Sequence, residues 1–119
     1  MRRVIGLGGV FFKARDPEAL YAWYEKHLGV KRDSPFLNKG DEGGMTVWSI
    51  FPADTTYFDP TTAPFMLNYR VENLDALLKL LAEEGVSIDP KREEADYGKF
   101  AWITDLEGNR IELWEPKGD

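Results

Sequence analysis

The chain has 119 residues, enough for one compact domain and too few for two, and its 15 Lys+Arg against 21 Asp+Glu give a formal net charge of −6. An acidic chain with no basic run argues against nucleic acid or an anionic membrane as partner. With no Cys, disulfides, thiolate nucleophiles and thiolate metal sites are excluded as well.

Met1-Arg2-Arg3 precedes a short apolar run with no small-residue cleavage site behind it, and no segment is long enough to span a membrane. The expectation is a soluble cytoplasmic protein. Residues 4–14, VIGLGGVFFKA, are apolar, β-branched and aromatic up to Arg15-Asp16-Pro17 and predict a first strand. Asp16 can cap a helix with Pro17 at its first position, and Leu20, Trp23, Tyr24, His27 and Leu28 then recur at helical spacing as far as Gly29. His27, the chain's only His, fits a cation at the helix C-terminus better than a ligand or base.

Residues 30–38 predict an edge-like second strand holding Pro35, followed by a glycine-rich loop at 39–44. That loop suits a flap over a cleft and not a phosphate loop, since it lacks the G-K-S/T ending and a following helix. Residues 45–51 predict a third strand, and Tyr57-Phe58 a short fourth. A new apolar run follows at 65–71, then a helix capped by Asn73 and carrying Leu74, Leu77, Leu78 and Leu81 up to Gly85. The polar stretch 89–96 reads as a solvated strand edge or loop. Residues 97–116, YGKFAWITDLEGNRIELWEP, predict a hairpin in which Gly108 supplies the positive φ of the turn.

The two halves repeat. VFFKARDPEALYAWYEKHLGV at 10–30 matches MLNYRVENLDALLKLLAEEGV at 66–86, and GMTVWSIF at 44–51 matches GKFAWITD at 98–105, with Trp48 opposite Trp102. The fold class is therefore α+β, two tandem βαβββ modules at about 4–60 and 64–116 within a single domain spanning residues 1–119. The repeated unit, the opening KARDPEA with AWYEKHLGV behind it, and above all D-x-x-G-N-x-I-E-L-x-E-P at 105–116 resemble the vicinal oxygen chelate superfamily, which includes glyoxalase I, bleomycin resistance proteins and extradiol dioxygenases. The resemblance covers nearly the whole chain. It implies a curved mixed sheet cupping a cleft, one helix behind each module, and pairing as a homodimer.

The resemblance also implies four positions at which metal-dependent members place His, Gln or Glu, and here these fall at Gly9, Phe58, Met66 and Glu112. Only Glu112 can ligate, so no metal and no cofactor are expected. Strand alternation puts Phe11 and Lys13 with Gly9, Asn68 and Arg70 with Met66, and Arg110 and Trp114 with Glu112. The predicted ligand-binding set is Phe11, Lys13, Trp48, Phe58, Met66, Asn68, Arg70, Trp102, Glu112 and Trp114. Glu112 is also the candidate catalytic residue, should the pocket raise its pKa.

Two accounts of Glu112 stay open: it orients a ligand's polar group, or it forms an internal ion pair with Lys13 or Arg70. The function expected first is metal-independent binding of a small aromatic or amphipathic molecule in a dimeric cleft. The alternatives are a metal-dependent lyase, isomerase or dioxygenase, and an interaction module whose cup is filled by its own side chains.

Overall fold

The structure, a computed structural model, describes residues 2–32 and 46–117. Among these, the elements run β1 (Val4–Ala14), α1 (Pro17–Leu28), β2 (Val47–Pro52), β3 (Phe65–Val71), α2 (Leu74–Glu83), β4 (Ser87–Ala95), β5 (Gly98–Thr104) and β6 (Arg110–Pro116). They build the expected α+β fold, one curved open sheet in the order β2-β1-β3-β6-β5-β4 with two helices. The predicted second strand beyond residue 32 and the loop at 39–44 lie outside the described residues. No helix among the described residues is long and apolar enough to cross a membrane.

Local chemistry sets the element boundaries. The Asp16 carboxylate accepts from the Ala19 amide at 3.1 Å and Pro17 opens α1, while Gly29 ends it with φ 71°. Asn73 does the same for α2, accepting from the Ala76 amide at 3.0 Å, and the Glu115 carboxylate accepts from the Leu74 amide at 2.8 Å. The β5–β6 turn closes through Asp105, whose carboxylate accepts from the Glu107 and Asn109 amides at 2.9 Å each, with Gly108 at φ 87°.

The second half is a complete βαβββ unit, in which β6 returns parallel beside β3 and pairs Asn68 with Glu112. In the first half β2 returns parallel beside β1 and pairs Phe11 with Ser49. Phe11 and Asn68 each stand five residues ahead of their helix cap, Asp16 and Asn73. Strand β2 is thus the counterpart of β6, not of β5, and the expected match of Trp48 with Trp102 is corrected. The residue equivalent to Glu112 is Ser49 and not Phe58.

Tyr57-Phe58 is likewise a turn and not a strand. Turn bonds three residues apart, Thr55 to Pro52, Asp59 to Thr56 and Thr61 to Phe58 at 3.0–3.1 Å, surround it, and the Tyr57 amide donates to the Thr55 hydroxyl at 3.2 Å.

The sheet separates two apolar regions. On the convex side Leu74, Leu77 and Leu78 of α2 bury against Val71, Ala101 and Leu113, each leucine worth about 1.5–3 kcal/mol of transfer free energy. On the same side of the first half, Trp48 packs on Phe12, Tyr21 and Tyr24. The concave side gathers Phe11, Phe58, Met66, Phe100, Trp102 and Trp114 from both halves into one cluster.

Candidate functional site

All six strands and the turns at Tyr57 and Tyr97 converge on the cup. Strand β6 directs Arg110, Glu112 and Trp114 inward, β5 directs Phe100 and Trp102, and β3 directs Met66, Asn68 and Arg70, as alternation predicts. Strand β1 breaks the alternation with a bulge between Leu7 and Gly9, so that Gly8 reaches the cavity wall together with Phe11. A Cβ built on Gly8 would lie 2.1 Å from Asn68 Oδ1, so a side chain here would displace the Asn68 amide from its present place beside Glu112.

The cavity has a volume of about 220 Å³, just under the ~300 Å³ at which ordinary ligand pockets begin, which suits a compact molecule. Its walls carry the rings of Phe11, Phe51, Tyr57, Tyr97, Phe100 and Trp114. Phe51 and Tyr57 stack at 5.4 Å, and so do Phe100 and Trp114 at 6.0 Å. Polar lining comes from Ser49, Asn68, Glu93 and Glu112.

Glu112, 2% exposed, is held by three neutral donors. The Tyr57 hydroxyl donates to Oε2 at 2.5 Å, the Trp102 indole N–H to Oε2 at 3.0 Å and the Asn68 amide to Oε1 at 2.5 Å. The ion pair with Lys13 or Arg70, one of the two accounts the sequence leaves open, is not what holds it. Arg70 donates to the Leu7 carbonyl at 2.9 Å, and the Lys13 amine sits 5.3 Å over the Phe58 ring. Both cations are drawn to the backbone and aromatic groups nearest their own strands.

Burial pushes the Glu112 carboxyl above the ordinary carboxylate range, the three hydrogen bonds pull it back, and the charge of Glu93 adds to the rise. The Tyr57 phenol is raised too, by burial first and the adjacent Glu112 second, so it stays a donor. A group so placed can hold a proton or a cation at the cavity wall.

The predicted site residues divide accordingly. Phe11, Asn68, Glu112 and Trp114 line the cavity, whereas Met66 and Phe58 are buried in the apolar cluster beneath it. Trp102 is 1% exposed and serves Glu112 as a donor, so it offers no face for stacking. Trp48 lies on the opposite side of the sheet, because a one-residue change of parity moves a side chain from one face to the other. Sequence reasoning passed over Tyr57 and Ser49. A proline ends each parallel return strand, Pro52 in β2 and Pro116 in β6, but it stands three residues beyond Ser49 and four beyond Glu112, so it marks the strand and not the register.

The four family ligand positions, read on the structure, supply a glycine bulge, a serine, an apolar methionine and one carboxylate engaged by hydrogen-bond donors. Among the described residues no group of three or more His, Cys, Asp or Glu comes together. His27 is exposed on α1, its ring 4.9 Å from that of Trp23. This donor set does not fit a catalytic divalent metal, which takes three or four nitrogen, sulfur or carboxylate ligands.

Residues 7–113 match the family model described as Glyoxalase/Bleomycin resistance protein/Dioxygenase superfamily. No curated protein matches the chain. Among solved structures, methylmalonyl-CoA epimerase from Mycobacterium tuberculosis superposes with a TM-score of 0.72 at 22% identity, covering 99% of this chain and 92% of that one. Methylmalonyl-CoA epimerase of Streptomyces coelicolor, in complex with 2-nitronate-propionyl-CoA, gives 0.73 at 12% identity over 97% and 99%. The NAD-dependent benzaldehyde dehydrogenase of Legionella pneumophila gives 0.62 at 15% over 92% and 98%. At these identities the likeness is one of fold.

Proposed function

The chain belongs to the glyoxalase/bleomycin resistance protein/dioxygenase superfamily, and from that premise we propose that it binds a small aromatic or amphipathic molecule in its cup without a metal ion. One observation carries the proposal: Glu112, held by Tyr57, Asn68 and Trp102, forms the polar end of a cavity walled by aromatic rings. The apolar body of the molecule packs on Phe11, Phe100 and Trp114 while Glu112 and Asn68 fix its polar group. Pairing of two copies, as the family resemblance implies, is part of this proposal.

An acyl-CoA of the kind named for the epimerases matches this wall poorly. The charged side chains that line the cavity among the described residues, Glu93 and Glu112, would repel a substrate carboxylate.

Tryptophan fluorescence titrated against a panel of cationic, neutral and anionic aromatic compounds tests the reading, since Trp114 lines the cavity and Trp102 touches Glu112. Saturable quenching or a shift by at least one compound is expected, and no response across the panel would overturn it. Metal analysis of protein purified without chelator tests the second half. Stoichiometric Zn, Ni, Mn or Fe that disappears in Glu112→Gln would overturn metal independence.

A further inference from the structure

Three hydrogen-bond donors at the cavity are committed: Tyr57 O–H and Trp102 N–H to Glu112, and Trp114 N–H to the Tyr97 carbonyl at 2.9 Å. The Ser49 and Tyr97 hydroxyls, which donate or accept, also line it. The acceptors on Glu112 and Asn68 are open. A carboxylate offers about four acceptor sites, and three donors reach Glu112, leaving room on Oε1. Next to it Asn68, 2% exposed, has given its N–H to Glu112, and its Oδ1 has no partner beside the bare backbone of Gly8.

Charge points the same way. Glu93 and Glu112 are the charged residues of the wall among those described, and the cations around the cup are engaged elsewhere. Arg70 bonds the Leu7 carbonyl, Lys13 covers Phe58, and Arg110 pairs with Asp89 at 2.7 Å, its guanidinium 5.3 Å from the Trp102 ring centroid. Lys91 approaches Glu93 at 3.8 Å, an exposed pair worth little. Aromatic faces around a carboxylate-lined cavity attract organic cations through their ring quadrupoles. The net charge of −6 adds a long-range field of the same sign.

We infer that the molecule this cup selects is an organic cation, an ammonium group on an apolar or aromatic body, whose N–H donors meet Glu112 and Asn68 while the body lies against Phe100 and Trp114. The inference rests on the small-molecule reading above and narrows it. An anion meets two carboxylates there, and a neutral isostere forgoes the charge-assisted bond.

Three compounds of one shape separate the cases: 2-phenylethylammonium, 2-phenylethanol and 3-phenylpropanoate, titrated by calorimetry at pH 7 and low salt. The cation is expected to bind at least about tenfold more tightly than the alcohol, and the carboxylate most weakly. Glu93→Gln, at an exposed position, should narrow the ratio of cation to alcohol several-fold, and Glu112→Gln should narrow it further. If Glu112→Gln fails to fold, the ratio in Glu93→Gln alone decides. Alcohol or carboxylate binding as tightly as the cation, or a ratio unchanged in the folded variants, overturns the inference and leaves the small-molecule reading standing. Binding by none of the three overturns the inference, and silence across the wider fluorescence panel overturns the small-molecule reading as well.

Discussion

At the scale of the residue, Glu112 is caught between burial, which favours its protonated form, and three donors, which favour the carboxylate, and burial prevails. The consequence for stability has a definite sign. Its proton affinity is higher in the folded than in the unfolded chain, so its contribution is complete below the unfolded value of about 4.3 and is lost as pH rises through the raised folded value. Glu112→Gln keeps the shape and cannot ionise. The expected result is that wild-type stability, relative to Glu112→Gln, falls as pH is raised from about 4, read from urea midpoints at constant ionic strength. A difference that stays flat with pH would mean that the carboxyl titrates alike in both states. Two acids nearer the surface move oppositely. Asp89, lowered by the Lys91 amide and the Arg110 side chain, and Asp75, lowered by Arg92 and Lys99, add stability that is lost toward acid. Taking the difference between the two proteins cancels them.

At the scale of the element, the two helices are capped alike and packed differently. Helix α2 buries Leu74, Leu77 and Leu78, while no residue of α1 is buried and Trp23 and Leu28 are more than half exposed. Propensity and caps alone leave a helix of three turns marginal, so tertiary burial sets how readily each one opens. Native-state hydrogen exchange is expected to show the α1 amides exchanging through openings of lower free energy than those of α2. Equal protection of the two helices would contradict this. The return strands show the opposite economy, with β2 and β6 performing one topological task with different sequences. Each lies parallel to the first strand of its half, and each delivers a cup-facing side chain next to Phe11 or Asn68. In one half that side chain is Ser49 and in the other Glu112, so the polar chemistry of the cup is concentrated on the second half.

At the scale of the whole molecule, the halves meet along the antiparallel β1–β3 pairing and share the concave cluster, in which Phe11 and Phe58 touch residues of the second half. Sharing a core couples their unfolding. Urea transitions followed by tryptophan fluorescence and by far-UV circular dichroism are expected to coincide, because Trp23 and Trp48 report the first half and Trp102 and Trp114 the second. Two separated midpoints would mean that the halves are stable independently. The cup is therefore a joint product: its aromatic walls come from both halves and its acidic groups, Glu93 and Glu112, from the second.

Sequence by itself determined the periodic part of this protein. The first strand at 4–14, both capped helices, the strand at 65–71 and the hairpin around Gly108 follow from alternation, helical spacing, capping residues and turn chemistry, all of which act between residues close along the chain. Glu112 also stood out, since a lone acid inside an apolar strand is anomalous in any fold. Tertiary structure alone decided the rest, for reasons of register and distance. Which strand lies beside which is settled by pairing across dozens of residues, and this made Ser49 the counterpart of Glu112 and turned Trp48 away from the cup. The bulge at Gly8 and the turn at Tyr57 carry no periodicity, so the contact between the phenol and the carboxylate at 2.5 Å existed only once the chain had closed. The partners of Glu112 proved to be a phenol, an amide and an indole, not the Lys13 or Arg70 of the ion-pair account. Charge in a sequence shows what can pair, and only the packed sheet shows which groups lie within reach.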